Sequence, residues 1–362
     1  MYHNDVHRCN LFLPSVSCGD TDRGRPVAST GLPTRPSCDV RVIVCNYLRE
    51  PGKIGSVVGG TRDAERPDER EDERELVRPS VTRADDVLVN ASGENFPVAL
   101  RALPARYRQH LFALYCFARL TDDLGDQAQV AGQDTATARL KLLDDLEADV
   151  DRIYAGEEPR TPALRPMAET VKACGVPDQP LRALIQANRQ DQMVVRYPVY
   201  EDLVRYCALS ANPVGQVVLY IFGAATAERI ALSDNICTAL QLVEHWQDVA
   251  EDLANGRIYL PQEDLVRFGC TEADLAQPHA GDNVKRLISF EVDRASQLLD
   301  DGAPLVGTLR GAARLAVAGY VAGGRAALAA IEGHGHDVLT STPKPGKRTT
   351  LKELAKAYLR GR

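Results

Sequence analysis

Gln241–Pro261 reads QLVEHWQDVAEDLANGRIYLP, and the spacing within it points to the fold class. Asp248 and Asp252 stand at i and i+4. On a helix that puts both carboxylates on one face, roughly 6 Å apart between Cβ atoms. Gln241, then Glu244 or His245, fall on the same side in the preceding turns, while Leu242, Val243, Trp246 and Val249 cover the rest. A polar stripe therefore lies within a mostly apolar helix. Burying carboxylates is costly unless a cation or a donor compensates. Hard divalent cations such as Mg2+ take oxygen ligands and are commonly shared with substrate phosphates.

A second stretch mirrors the first. In Gln109–Gln127, QHLFALYCFARLTDDLGDQ, the stripe reads Tyr115, Arg119, Asp122, Asp126, with Leu111, Leu114, Phe117 and Ala118 as apolar surround. Two such helices face to face would hold a small cation cluster able to grip a diphosphate. The chain has 50 Asp and Glu among 362 residues, so some i, i+4 acid pairs arise by chance. Asp145 and Asp149 are such a pair: they lie opposite the apolar stripe Leu142, Leu143, Leu146, Val150, Ile153 and read as a solvated face.

Charge and composition narrow the classes. A formal charge of −7 without a basic cluster argues against a nucleic-acid partner. The apolar run Val217–Ala227 is too short to span a bilayer, and the N-terminus has no signal-peptide pattern. Nine cysteines without CxxC spacing argue for a reducing compartment, and against a disulfide framework or a zinc site. The expected location is the cytoplasm, with at most peripheral contact at the inner membrane face.

The combination LP…R…YCFAR…DDLGD and QL…QDVAEDLANGRIYLP resembles the squalene/phytoene synthases. The resemblance runs from about Gly93 to Leu339. It implies one all-α domain with a central cavity, of the isoprenoid synthase type, acting on isoprenoid diphosphates. A third segment is Asp191-Gln192…Arg196-Tyr197…Tyr206-Cys207…Ser210-Ala211-Asn212-Pro213-Val214-Gly215. It is similar to the branch that makes hydroxysqualene from presqualene diphosphate; elsewhere in the family SANPVG reads closer to AGTVG. The alternative is head-to-head condensation to presqualene diphosphate, squalene, dehydrosqualene or phytoene.

What the resemblance implies for the site can be stated residue by residue. Asp122, Asp126, Asp248 and Asp252 would hold Mg2+, or Mn2+ in its place. Glu244 stands where the family's usual ligand is asparagine, which adds negative charge or pairs with His245. Arg119, Arg257 and Tyr259 would contact diphosphate oxygens. Asn95 stands where a small hydroxyl residue touches a phosphate, with Phe96 beside it. Gln192, Ser210, Asn212, Gly215 and Gln241 would line the substrate path. Asp191 is either a buried partner for an arginine or a contact to substrate or metal-bound water. Tyr115 either orients the leaving group or assists proton transfer. Gln247 replaces a frequent arginine and suits the hydroxysqualene branch. No strand–GxGxxG–helix unit is present and no nicotinamide cofactor is expected, although squalene synthases of the family bind NADPH without that unit. Enzymes acting before and after it are the expected protein partners.

Along the chain, residues 1–90 differ from the rest. Between Arg62 and Glu75 every residue except Ala64 and Pro67 is charged, which predicts disorder or poor packing. The helical domain is expected over 91–340. Helices are predicted at Arg106–Gln127, Thr135–Ala155, Thr161–Cys174, Leu181–Val195, Tyr200–Phe222 with a kink at Pro213, Ala231–Asn255, Asp282–Leu299 and Leu305–Ala330. Asn255-Gly256 should end the second acidic helix through a left-handed cap. Over 341–362 the sequence predicts a basic tail, or a helix Leu351–Leu359 opened by a Thr350-x-x-Glu353 capping box. It would lie on the domain or touch an anionic membrane.

Overall fold

Helix follows helix in this computed structural model, which describes residues 103–126 and 135–360, with backbone only at 126 and 135. Asn95, Phe96 and the charged N-terminal extension lie outside the described residues. In chain order the helices are α1 (Ala105–Asp126), α2 (Thr135–Tyr154), α3 (Arg165–Cys174, after a 3-10 turn), α4 (Asp178–Asp191), α5 (Tyr200–Ser210), α6 (Asn212–Ile221) and α7 (Ala227–Gln247). They continue as α8 (Val249–Ala254), α9 (Gln262–Arg267), α10 (Glu272–Leu275), α11 (Asp282–Gly302), α12 (Leu305–Thr308), α13 (Gly311–Gly333) and α14 (Lys347–Arg360). Among the described residues there is no strand, only an isolated bridge between Arg196 and Ile258. The all-α expectation holds.

Two apolar clusters make the core. One gathers Leu111, Leu114, Phe117, Leu143, Leu164 and Ile185 from α1 to α4, together with Val214 and Val218 of α6. The other gathers Leu203, Leu219, Leu240, Trp246, Leu287 and Val321 from α5, α6, α7, α11 and α13. So α6 contributes to both, and the space beside it lies where they meet. α13 is long and apolar enough to cross a membrane. Its Val317, Ala318, Val321, Ala322 and Leu328 are nevertheless buried in the protein.

Several boundaries differ from expectation, each for a local reason. The expected Tyr200–Phe222 helix is two helices: the chain turns at Ala211 (φ −114°, ψ −49°), and Pro213 stands in the first turn of α6, where its missing N–H costs nothing. α4 starts at Asp178, because Pro180 is likewise tolerated in a first turn. The second acidic helix breaks at Asp248 (φ −107°, ψ 17°) between α7 and α8. Gly256 at φ +78° supplies the left-handed cap after it, as expected. Thr350 is not a helix cap: α14 begins at Lys347, and the Thr350 hydroxyl donates back to the Gly346 carbonyl. The described capping box is Thr271 with Asp274, at α10. Asp149 is not on a solvated face either. It is 2% exposed and accepts from the backbone N–H of Arg160 and Thr161 at 2.7 and 2.9 Å, so it pins the loop after α2.

Candidate active site

Among the predicted site acids, the second acidic region supplies the buried ones, Glu244 and Asp252. Asp248 sits at the break, yet the Asp252 amide still donates to the Asp248 carbonyl at 2.8 Å, which keeps the pair one turn apart. Asp252 is 5% exposed. Burial pushes its carboxyl up to about 8; Asp248 adds to this and Arg257 opposes it. Asp248 is pushed up to about 6 by burial and then by Glu251, against a hydrogen bond from Thr342 and the charge of Lys344. Gln247, beside the pair, donates to the Pro343 carbonyl, so the segment after α13 is tied to this end of α7.

Gln241 Nε2 donates to His245 Nε2 at 3.3 Å, which leaves the proton on Nδ1, 4.0 Å from Asp252 Oδ2. The ring stacks on Tyr259 with centroids 3.7 Å apart. Gln241, His245 and Asp252 thus form a line down one face, with Glu244 buried on the same helix.

On α1, Arg119 is ion-paired at 3.1 Å with Asp123, a residue outside the predicted stripe. Asp122 accepts from the Asn188 amide at 3.1 Å. Gly125 explains why its position is small: a Cβ there would stand 2.3 Å from Asn188 Oδ1. Gln192 donates to the carbonyls of Gly125 and Asn188, both at 3.0 Å, so it holds the end of α4 against the acidic end of α1. Tyr115 is buried and stacks on Phe112.

Helix α4 links the two acidic regions. Asn188 reaches Asp122, and Asp191, a turn later, faces the exit loop of the second motif. Asp191 accepts from Tyr206 at 2.9 Å and lies 3.8 Å from Arg257 Nη1. Arg257 also donates to the Asp191 carbonyl and to the Tyr259 hydroxyl, both at 3.3 Å. Asp191 therefore has the buried arginine partner, one of its two alternatives, and its charge is also felt at Asp252. Burial, and then Asp191, push the phenols of Tyr206 and Tyr259 upward, so both are neutral hydrogen-bonding groups.

Beside this polar cluster lies an apolar cavity with about 660 Å³ of empty space, mouth included. Val214, Gly215, Val218, Leu240, Val317 and Tyr320 are among its walls, and Gln241 is on its lining. Gln241 therefore touches both the cavity and the His245–Asp252 line. Gly215 serves close packing and the cavity at once: a Cβ would meet Cys237 Sγ at 2.4 Å and Ser233 Oγ at 2.5 Å on α7. Ser210 and Asn212 are buried beside the break at Ala211. Asn212 accepts from Thr238 at 2.9 Å, which makes it a tie between α6 and α7.

The donor set suits a hard divalent cation in chemistry: carboxylate oxygens, with Asp248 and Asp252 held toward protonation by burial and by neighbouring acids, Glu251 at Asp248 and Asp248 at Asp252. Among the described residues, no three Asp, Glu, His or Cys side chains stand close enough to enclose one ion. Asp122, Glu244, Asp248 and Asp252 are thus candidate donors taken one by one; the Asp126 side chain lies outside the described ones.

Asn188, Asp123 and Tyr206 are the functional candidates that sequence reading passed over. Asn188 was detectable as the residue one turn before Asp191 and Gln192. Asp123 lay at i+4 from Arg119. Tyr206 stood within the Asp191…Gly215 segment, but nothing local signalled its pairing with Asp191.

The Squalene/phytoene synthase family model matches residues 89–352. The hydroxysqualene synthase of Rhodopseudomonas palustris is 32% identical over 219 residues, 60% of this chain and 72% of that protein. The 15-cis-phytoene synthase of Synechocystis sp. is 32% identical over 224 residues, 58% of this chain and 64% of that protein. The crystal structure of squalene synthase HpnC from Alicyclobacillus acidocaldarius superposes with a TM-score of 0.63 at 42% identity, covering 70% of this chain and 94% of that one.

Proposed function

The chain belongs to the squalene/phytoene synthase family, whose members act on isoprenoid diphosphates, and on that premise we propose that it converts presqualene diphosphate to hydroxysqualene. The observation that carries this is the junction at Gln241. An apolar cavity suited to a polyprenyl chain meets a buried cluster of acids with an arginine beside it. Support for the hydroxysqualene branch comes from the relatives of that name and from the SANPVG segment beside the cavity.

In this reading the C–O bond to diphosphate breaks and the electron pair leaves with diphosphate. Asp122, Asp248 and Asp252, with Glu244 and Asp126, are the residues that would hold Mg2+, and the chemistry it would supply is Lewis-acid neutralisation of the leaving group's charge. Arg257 and Arg119 offer charge-assisted hydrogen bonds to its oxygens. Tyr259, neutral and stacked on His245, holds Arg257 toward the acids. Val214, Val218, Leu240 and Val317 keep water from the cation while it rearranges. One water oxygen then bonds to carbon and loses its proton, giving an alcohol; no hydride is consumed.

Incubation of the protein with presqualene diphosphate and Mg2+, with product identified by mass spectrometry, tests this. Hydroxysqualene and diphosphate in equal amounts are expected. No consumption, alongside turnover of farnesyl or geranylgeranyl diphosphate, would establish instead a head-to-head condensing synthase. The equal identity to the Rhodopseudomonas hydroxysqualene synthase and the Synechocystis phytoene synthase supports that second reading as much as the first.

A further inference from the structure

The last described helix carries a feature the site does not use. α14 is tied to α13: Arg314 donates to the Tyr358 carbonyl at 2.7 Å and its guanidinium lies over the Tyr358 ring. Ala357 is buried on the inward side. The opposite face is set by the helical period. Arg348, Lys352, Ala355 and Leu359 follow at i, i+4, i+7 and i+11, with Leu351 beside them, and all are exposed. Leu351 is 67% and Leu359 58% exposed, and Leu315 on neighbouring α13 is 43% exposed. Lys347 and Arg360 flank the face, and Lys356 stands at its edge. The one acid of α14, Glu353, is turned inward and paired with Lys356. A chain of net charge −7 therefore presents one face with leucines set among bases and no acid.

We propose that this face of α14 docks the protein on an anionic lipid bilayer. The leucines would enter the boundary between headgroups and acyl chains while the flanking Arg and Lys reach lipid phosphates, their long stems allowing both. Charge complementarity selects this occupant. A second copy of this chain is a net acid but carries the same basic face, and a purely acidic partner would leave the leucines without an apolar counterpart. The segment 342–344, which runs into α14, also contacts Gln247 and Asp248. Docking would thus hold the catalytic end of α7 near the membrane, where a polyprenyl alcohol is soluble. With three exposed leucines and no acyl anchor the binding is reversible.

The test is co-sedimentation of the intact protein with vesicles of equal parts phosphatidylglycerol and phosphatidylcholine, against phosphatidylcholine alone. Binding to the anionic vesicles only, weakened in high salt, is expected. Arg348→Gln with Lys352→Gln should lower the partition coefficient about 25-fold, about fivefold per charge. Leu351→Ser with Leu359→Ser should lower it about tenfold. Both pairs should leave the circular dichroism spectrum and diphosphate release in detergent unchanged. Absence of binding to anionic vesicles, or equal binding by the variants, would overturn the proposal. So would lipid-free self-association that the leucine substitutions abolish, which would assign the face to a second copy.

Discussion

Two groups of buried acids, Asp248–Asp252 and Asp264–Glu291, share their chemistry but differ in what surrounds them. Asp264 is 2% and Glu291 0% exposed. Arg294 reaches Asp264 at 2.6 Å and Glu291 at 3.5 Å, and its guanidinium lies over the rings of Tyr200 and Phe290. Burial pushes the Glu291 carboxyl up to about 8; the Arg294 charge opposes this and Asp264 adds to it. Arg294, Arg267 at 4.0 Å from Asp264, and one retained proton close that group off. At Asp248–Asp252 the nearby guanidinium, Arg257, is also engaged by Asp191, and the His245–Gln241 line leads from Asp252 to a cavity. A buried acid pair does not by itself mark a site. Compensation left to an incoming ligand does.

The largest effect expected from this contrast is at Asp252. Asp252→Asn should lower kcat by about 10³-fold or more, because charge stabilisation of the leaving group is lost. It should leave stability equal or higher, since a buried like-charge neighbour is removed; turnover and urea melts on the same preparation check both. Arg294→Ala should do the reverse. It removes the closer cation from two buried acids, leaving only Arg267 at 4.0 Å from Asp264, and costs about 3 kcal/mol, while kcat of the folded enzyme stays unchanged. A fall in kcat there, with unaltered stability, would erase the distinction between the two groups.

Gly125→Ala sharpens the comparison from the α1 side. The methyl would displace Asn188 from Asp122, with a stability cost of about 1–3 kcal/mol and a drop in diphosphate affinity measurable by calorimetry. The smallest effect is a slope with pH. A carboxyl raised in the folded state binds more protons folded than unfolded between its two pKa values. Its contribution to stability is therefore fully present below the unfolded value and is lost as pH rises toward about 8. Glu291→Gln, which keeps a donor for Asp264, should flatten that loss between pH 5 and pH 8, read from denaturation at both pH values.

Much of the fold was legible because helices announce themselves locally. The apolar period of α1 and α7, the Gly256 cap and the Pro180 and Pro213 positions are all short-range signals. The break at Asp248 was not, since neither Gly nor Pro marks it and Gln247 is held by Pro343, distant in sequence. Within the site, Asp122, Asp191, Gln241, Asp248, Asp252, Arg257 and Tyr259 could be named from spacing and resemblance. Their partners could not. Asn188 meets Asp122 across 66 positions of chain, and Arg257 meets Asp191 across the same number.

By itself the sequence determined that the chain is all-α, which family it joins, and which acids carry the helical i, i+4 pattern. Side-chain period and cap chemistry are properties of neighbouring residues, so they can be read in one dimension. Only the tertiary structure decided that Asp149 is buried, that Asp191 takes an arginine, and that α14 docks with its bases outward. Burial and ion pairing depend on what another part of the chain places within a few ångströms, and no local pattern encodes that distance.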